Sequence, residues 1–261
     1  MPSVRSLVLP PPVWREYRFW FEMRELARHP FFQHPEVAEE SHPVMLIPGF
    51  LTGDQTLGMM GSWIKRSGHR TCRAGIKLNI DCSEAAVGRL EQSLERFVET
   101  EGQRAFVIGQ SRGGCFARVL AVRRPDLVRG IVTLGSPHLD PLAVHPMVWI
   151  QGAALATAGS LGVKGVVRHS CRFGACCEDF WRDLGGPFPS RVRFIAVYSR
   201  SDGIVDWRAC LDPAARQVEI DSTHCGMSVN TAAFELIAEA MRSRLRASRF
   251  TPGAARAEVA A

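Results

Sequence analysis

The chain has 261 residues, 46% of them hydrophobic and 22% charged, which suits one α/β-sized domain with a sizeable core and excludes extensive disorder. Its net charge of +6 rests on 29 Arg and three Lys spread along the chain without a long basic run, an arrangement that argues against nucleic acid as the main partner. The opening MPSVRSLVLPPPVWREY is an apolar stretch broken by prolines, without the apolar core and small-residue cleavage site of a secretory signal, so the expected location is cytoplasmic.

Residues 1–35 read as an N-terminal arm. Within it, Val13 to His29 is helical in composition, with Trp14, Tyr17 and Phe21 on one side and several Arg elsewhere. Such a helix is expected to pack on its own domain, and peripheral contact with a membrane surface is the alternative. From residue 36 to 250 the pattern is that of a single domain. Apolar segments at 43–47, 105–109, 129–135, 192–198 and 216–220 alternate with helical patterns, the signature of βαβ units around a mostly parallel open sheet flanked by helices. Val87, Leu90, Leu94 and Phe97 mark one helical face, and Phe234, Ile237, Met241 and Leu245 another. The segments Pro10 to Pro12 and the Ala-rich tail after Pro252 are predicted to be mobile, with 251–261 as a disordered tail.

The chemistry concentrates at RAFVIGQSRGG (104–114). Here an apolar strand ends in Gly109-Gln110-Ser111-Arg112-Gly113-Gly114, and Phe116, Val119, Leu120 and Arg123 follow at helical spacing before Pro125. A serine that attacks a carbonyl must project from a very tight strand-to-helix turn, with almost no side chain two positions before and after it. Ser111 is therefore the candidate nucleophile. The N–H of Arg112, at the start of the helix, is one candidate oxyanion donor, and that of Phe50, just after Gly49 in LIPGFL, is the other. An acid and a histidine should follow in that order, each just after a strand. Asp202 comes after strand 192–198, with Asp206 as the alternative acid, and His224 comes after strand 216–220. In those positions Asp202 orients His224, and His224 takes the proton of Ser111.

Between Pro141 and Val163 there is no Asp, Glu, Lys or Arg. This apolar stretch is diluted by Gln151, Gly152, Thr157, Gly159, Ser160 and Gly162, and a membrane crossing here would part Ser111 from Asp202 and His224. We expect residues 141–190 to form a lid insertion whose apolar side chains, Met147, Trp149 and Ile150 foremost, bind an acyl chain together with Leu51.

Taken together, LIPGF, GQSRGG, TLGSPH (133–138), YSRSDGIV (198–205) and STHCGM (222–227) resemble the α/β-hydrolase superfamily, specifically its compact bacterial lipase and esterase branch, over roughly residues 43 to 245. The resemblance implies an open parallel sheet, a triad of Ser111, His224 and Asp202, no metal or organic cofactor, and a small-molecule ester or lipid as substrate. Two departures stand out: Pro48 replaces the His often found before the Gly, and Arg112 replaces the usual small or aliphatic residue, placing a charge near the mouth. An acyltransferase or thioesterase uses the same triad, and a non-catalytic binding module would have lost one of its members. The sequence does not give an oligomeric state.

Eight cysteines in a chain without a signal sequence read mostly as reduced, buried hydrophobes. The cluster His169-x-Cys171-x4-Cys176-Cys177 is denser than that. Its spacing matches no standard ligand pattern, so a zinc site and a local disulfide both stay open and no metal is assigned.

Overall fold

Strands β1 (Pro43–Ile47), β3 (Ala105–Gln110), β4 (Val128–Leu134) and most of β5 (Arg193–Tyr198) are nearly continuous apolar runs, as needed where a strand is covered on both faces. The computed structural model, which describes residues 12–242, joins them with β2 (Arg70–Arg73) and β6 (Arg216–Glu219) into one six-stranded sheet of order β2-β1-β3-β4-β5-β6. Every neighbouring pair is parallel. The strands anticipated from the apolar runs lie within two residues of those observed. β2 has no sequence signal of that kind, because RTCR is an edge strand, only partly buried, that needs no second apolar face.

The helices are α1 (Phe19–Arg28), α2 (Pro30–Gln33), α3 (Gly58–Arg66), α4 (Ser83–Glu101), α5 (Arg112–Arg123), α6 (Pro146–Ser160), α7 (Ser170–Phe173), α8 (Glu178–Gly185) and α9 (Thr231–Arg242). Period-two alternation along the strands splits the core into two layers. Met45, Ile47, Val107, Ile131 and Ala196 pack with α4, α5 and α8, whereas Val44, Leu46, Ile108, Val132 and Val197 pack with α1, α3 and α9. Leu245 and the expected disordered tail 251–261 lie outside the described residues, as do Pro10 and Pro11.

The arm is helical from Val13, as a 3-10 turn (Val13–Arg18) that continues into α1. The helix packs on its own domain, as expected, but not through Trp14, Tyr17 and Phe21. Trp14, Trp20 and Phe21 are each 66% exposed, and the inward face carries Glu22 and Leu26, with Phe19 and Met23 partly buried. Two acidic side chains of the arm, Glu16 and Glu22, have polar loop ends of the sheet to bond to, and this selects the inward face over the aromatic one.

The stretch 141–190 has two characters. α6 carries no charge and no single apolar face, and is largely uncovered, with only Ala156 and Gly159 buried. From Val167 onward the chain returns to the core: Cys171, Cys177, Phe180 and Leu184 join the α4/α5 layer. Arg118 and Arg123 of α5 hold α8 through Asp183 and Gly186. Among the described residues no helix is long and apolar enough to cross a membrane.

Candidate active site

Ser111 sits between β3 and α5 with φ 53° and ψ −123°, and Leu51, with φ 59°, is the other non-glycine residue at positive φ among the described residues. Backbone strain of this kind costs of order 1–3 kcal/mol per residue and persists only where surroundings enforce it. Both strained residues adjoin a candidate oxyanion donor: Arg112 follows Ser111, and Phe50 precedes Leu51.

The glycines of the elbow are required by contact rather than by torsion. A Cβ on Gly109 would lie 2.3 Å from the carbonyl oxygen of Gly113, and one on Gly113 would lie 2.3 Å from that of Ile47. Gly49 serves close approach too, since its Cβ would come 3.3 Å from the Cβ of Ser111. The positive φ of this loop falls on Leu51, two residues after Gly49. As the first residue of α5, Arg112 has an N–H outside the intrahelical ladder. In the loop after β1, the N–H groups of Leu51 and Thr52 are taken by Asn79 O and Gly49 O, while that of Phe50 has no acceptor among the described residues.

His224 and Asp202 meet at the carboxyl ends of the strands, with His224 Nδ1 2.7 Å from Asp202 Oδ2. The other carboxylate oxygen of Asp202 accepts the N–H of Ile204 at 2.8 Å and of Val205 at 2.7 Å, which locks the acid in place. Burial alone would push the imidazole pKa down from 6.5, but the charge and hydrogen bond of Asp202, aided by Glu16, raise it. Gly135, at φ 56°, lies directly beneath the pair, where a Cβ would be 3.0 Å from His224 Nδ1 and 3.1 Å from Asp202 Oδ2. Asp206, the alternative acid, instead caps the turn Trp207–Cys210 by accepting the N–H of Arg208 at 3.0 Å. Ser111, Arg112, Phe50 and His224 line one cavity of about 710 Å³, so the structure brings together the residues that the sequence singled out.

Of the four expected acyl-chain contacts, Leu51 and Trp149 line that cavity and Met147 and Ile150 do not. Helical rotation explains the split. Positions 148, 149, 152, 153 and 156 share one face of α6 and look into the cavity, whereas 147 and 150 lie on the opposite face, 54% and 67% exposed. The guanidinium of Arg112 does not sit as a free charge at the mouth. It donates to Asn79 O and Oδ1 at 3.0 and 3.1 Å, to Asp81 O at 2.5 Å and to Ser83 Oγ at 3.0 Å. Asn79 in turn donates to Pro48 O at 2.8 Å and accepts from Leu51, so the residue after Ser111 braces the loop that carries Phe50.

Sequence reasoning missed the polar frame that holds the loops. Glu16 Oε1 accepts the N–H of Gly203 and of His224, and Oε2 that of Cys225, all at 2.9 Å. Glu22 accepts from Thr223 N at 2.9 Å and from Ser222 Oγ at 2.5 Å, with Asn230 Nδ2 at 3.1 Å. Gln110 Nε2 donates to His224 O at 3.2 Å, a direct tie from the elbow to the histidine loop. The available signal is the stripe Phe19, Glu22, Met23, Leu26 at spacings of three and four, which places an acid on the face that turns inward.

A family model described as the alpha/beta hydrolase fold matches residues 65–158. Among solved structures, a lipase of Bacillus licheniformis in its mature form is similar over 79% of this chain and 94% of its own, at 15% identity and a TM-score of 0.59. A soluble variant of the monoglyceride lipase of Saccharomyces cerevisiae, in complex with a substrate analogue, is similar over 79% of this chain and 87% of its own, at 14% identity and a TM-score of 0.54. A gene product of Listeria innocua is similar over 81% and 97% at 13% identity, with a TM-score of 0.52. The parallel sheet, the strained turn at Ser111 and these likenesses agree that the chain has the α/β-hydrolase fold.

Proposed function

We propose that this protein hydrolyses carboxylic esters with apolar acyl chains by a Ser111–His224–Asp202 triad and an acyl-enzyme. The observation that carries the reading is the opening of the strained Ser111 turn and of the Asp202-held His224 onto one cavity walled by α6. Nδ1–H of His224 is committed to Asp202, which leaves Nε2 as the base that takes the Ser111 proton during attack and returns it to the leaving alcohol. The N–H groups of Phe50 and Arg112 stabilise the tetrahedral oxyanion, and water then releases the acid by the same steps in reverse. Likeness to two proteins described as lipases supports an ester as the substrate class.

The largely uncovered α6 acts as the lid in this reading, and its inner face, with Leu51 and Trp149, receives the acyl chain. The outward aromatics of the arm supply a surface for peripheral membrane contact. Labelling with a fluorophosphonate followed by peptide mapping tests the triad. The adduct is expected on Ser111, absent in Ser111→Ala, with esterase turnover falling at least roughly 10³-fold in that variant. Full activity in Ser111→Ala rejects the proposal. A series of p-nitrophenyl esters tests the acyl wall, through a specificity constant that rises with chain length. Added alcohol or thiol acceptors that divert most of the acyl group would instead point to an acyltransferase.

A further inference from the structure

Four cysteines outside the triad converge beside the cavity, one of them, Cys171, in its lining. Cys82 is the residue just before α4, Cys171 lies on α7, and Cys176 and Cys177 form the 3-10 turn Ala175–Cys177. Their four Sγ atoms all lie within 4.8 Å of one another, with Cys82 and Cys177 at 3.4 Å. All four are free thiols.

We propose that Cys82, Cys171, Cys176 and Cys177 form a tetrathiolate site for a structural Zn²⁺ that staples the segment around residues 167–185 to the start of α4. A zinc–sulfur bond of about 2.3 Å in a tetrahedron sets neighbouring sulfurs about 3.8 Å apart, within the observed spacing. An iron–sulfur cubane would hold its cysteine sulfurs farther apart, because the cluster itself lies between them. A disulfide uses two sulfurs and leaves unexplained why two more crowd against them.

The surroundings also suit the resulting charge. Four thiols bind Zn²⁺ with release of four protons, leaving a site of net charge −2. The N-terminus of the 19-residue helix α4 adjoins Cys82, and the N–H of Arg168 points at Cys171 Sγ at 3.4 Å. The Arg112 guanidinium is bonded to Asp81 O and Ser83 Oγ on either side of Cys82. Cys171 and Cys177 are buried while Cys176 is exposed, which gives the ion a way in from solvent. Four protein ligands close the coordination sphere, so the ion holds structure and leaves no position open for a reacting water.

The Val167 N–H to Ile80 O bond at 2.7 Å joins the same two segments next to the cluster. The consequence lies next to the candidate active site. Cys171 lines the cavity, and Cys82 adjoins the Asp81 and Ser83 atoms that hold Arg112. The test is metal analysis of the full-length chain, produced without a histidine tag in zinc-supplemented medium and passed over a desalting column. The expected result is about one zinc per chain, lost in Cys177→Ser and kept in Cys72→Ser, whose thiol lies outside the cluster. Because Cys177→Ser risks misfolding, a second measurement uses the unaltered chain. After zinc is withdrawn, added Co²⁺ should give thiolate-to-cobalt charge-transfer and tetrahedral d–d absorption. Folded protein that takes up neither ion, or a peptide map showing a Cys82–Cys177 disulfide in the freshly isolated chain, overturns the proposal.

Discussion

Two pieces wrap the candidate site, and they are attached in opposite ways. The arm, Val13–Arg28, turns Glu16 and Glu22 inward onto the backbone of the loops bearing Asp202 and His224 and leaves its aromatics in solvent. The α6 helix carries no charged residue and meets the cavity through side chains such as Trp149 and Ala156; the Val144–Val205 bridge and the bond from His145 N to Ile204 O join it to the domain just before its start, and Thr157 and Ser160 bond to His169 near its end. Directional bonds to buried amides fix one geometry, whereas apolar contact tolerates sliding. Under the proposed function, the arm holds the His224 and Asp202 loops still and α6 adapts to what binds.

Breaking the arm should therefore cost the most. Glu22→Ala strips an acceptor from Ser222, Thr223 and Asn230, and a loss of about 2–4 kcal/mol in unfolding free energy is expected from denaturant titration. Glu16→Gln keeps the shape but removes the charge that helps raise the His224 pKa, so kcat should drop roughly tenfold to a hundredfold with KM nearly unchanged. An equal rise in KM would mean that the arm shapes the pocket instead. Trp149→Ala on α6 should reverse that split: about 5- to 50-fold loss in kcat/KM on long acyl esters and little change on acetates.

The pH profile separates the two regions further. With the His224 pKa raised above 6.5 by Asp202 against the opposing effect of burial, kcat/KM should fall on the acid side as pH drops through that raised value. Glu16→Gln should move this limb toward lower pH, and Trp149→Ala should leave it in place. The same raised pKa makes the charged His224–Asp202 pair stabilising below pH 6.5, a contribution lost as pH rises through the folded value. Activity and this stability contribution thus run in opposite directions, which thermal melts across the same range will show. The smallest effect is expected from Ile150→Ser on the outer face of α6, within twofold on dissolved esters. Flotation with liposomes should detect a difference between the full chain and Trp20→Ser/Phe21→Ser if the arm's aromatics meet a bilayer, and equal flotation ends that idea.

Much of this arrangement is legible from residues alone where chemistry demands a unique residue type. Gly109 and Gly113 admit no Cβ, strands buried on both faces must be apolar throughout, and Asp202 and His224 follow their strands in the expected order. What stays hidden has many sequence solutions. The edge strand β2 needs no pattern. Whether Met147 or Trp149 faces the cavity depends on the rotation of a helix with no single apolar face, so period 3.6 carries no signal there. The inward turn of the arm is obscured for a related reason: both of its faces carry apolar residues, and the one bearing Glu22 turns inward because the loop amides it meets would otherwise be buried without acceptors. Arg112 likewise read as a surface charge, since nothing local announces that Asn79, Asp81 and Ser83 wait for it.

The bonds from Glu16 and Glu22 span 187 to 209 positions of the chain, from near its beginning to the turns around Gly203 and Thr223. During synthesis the arm is therefore made well before the loops it bonds and waits for the 187 to 209 positions in between before its carboxylates find their amides. Assembly of the candidate site is thereby deferred until the His224 loop is made, and a product terminated before that loop leaves the arm without its dock.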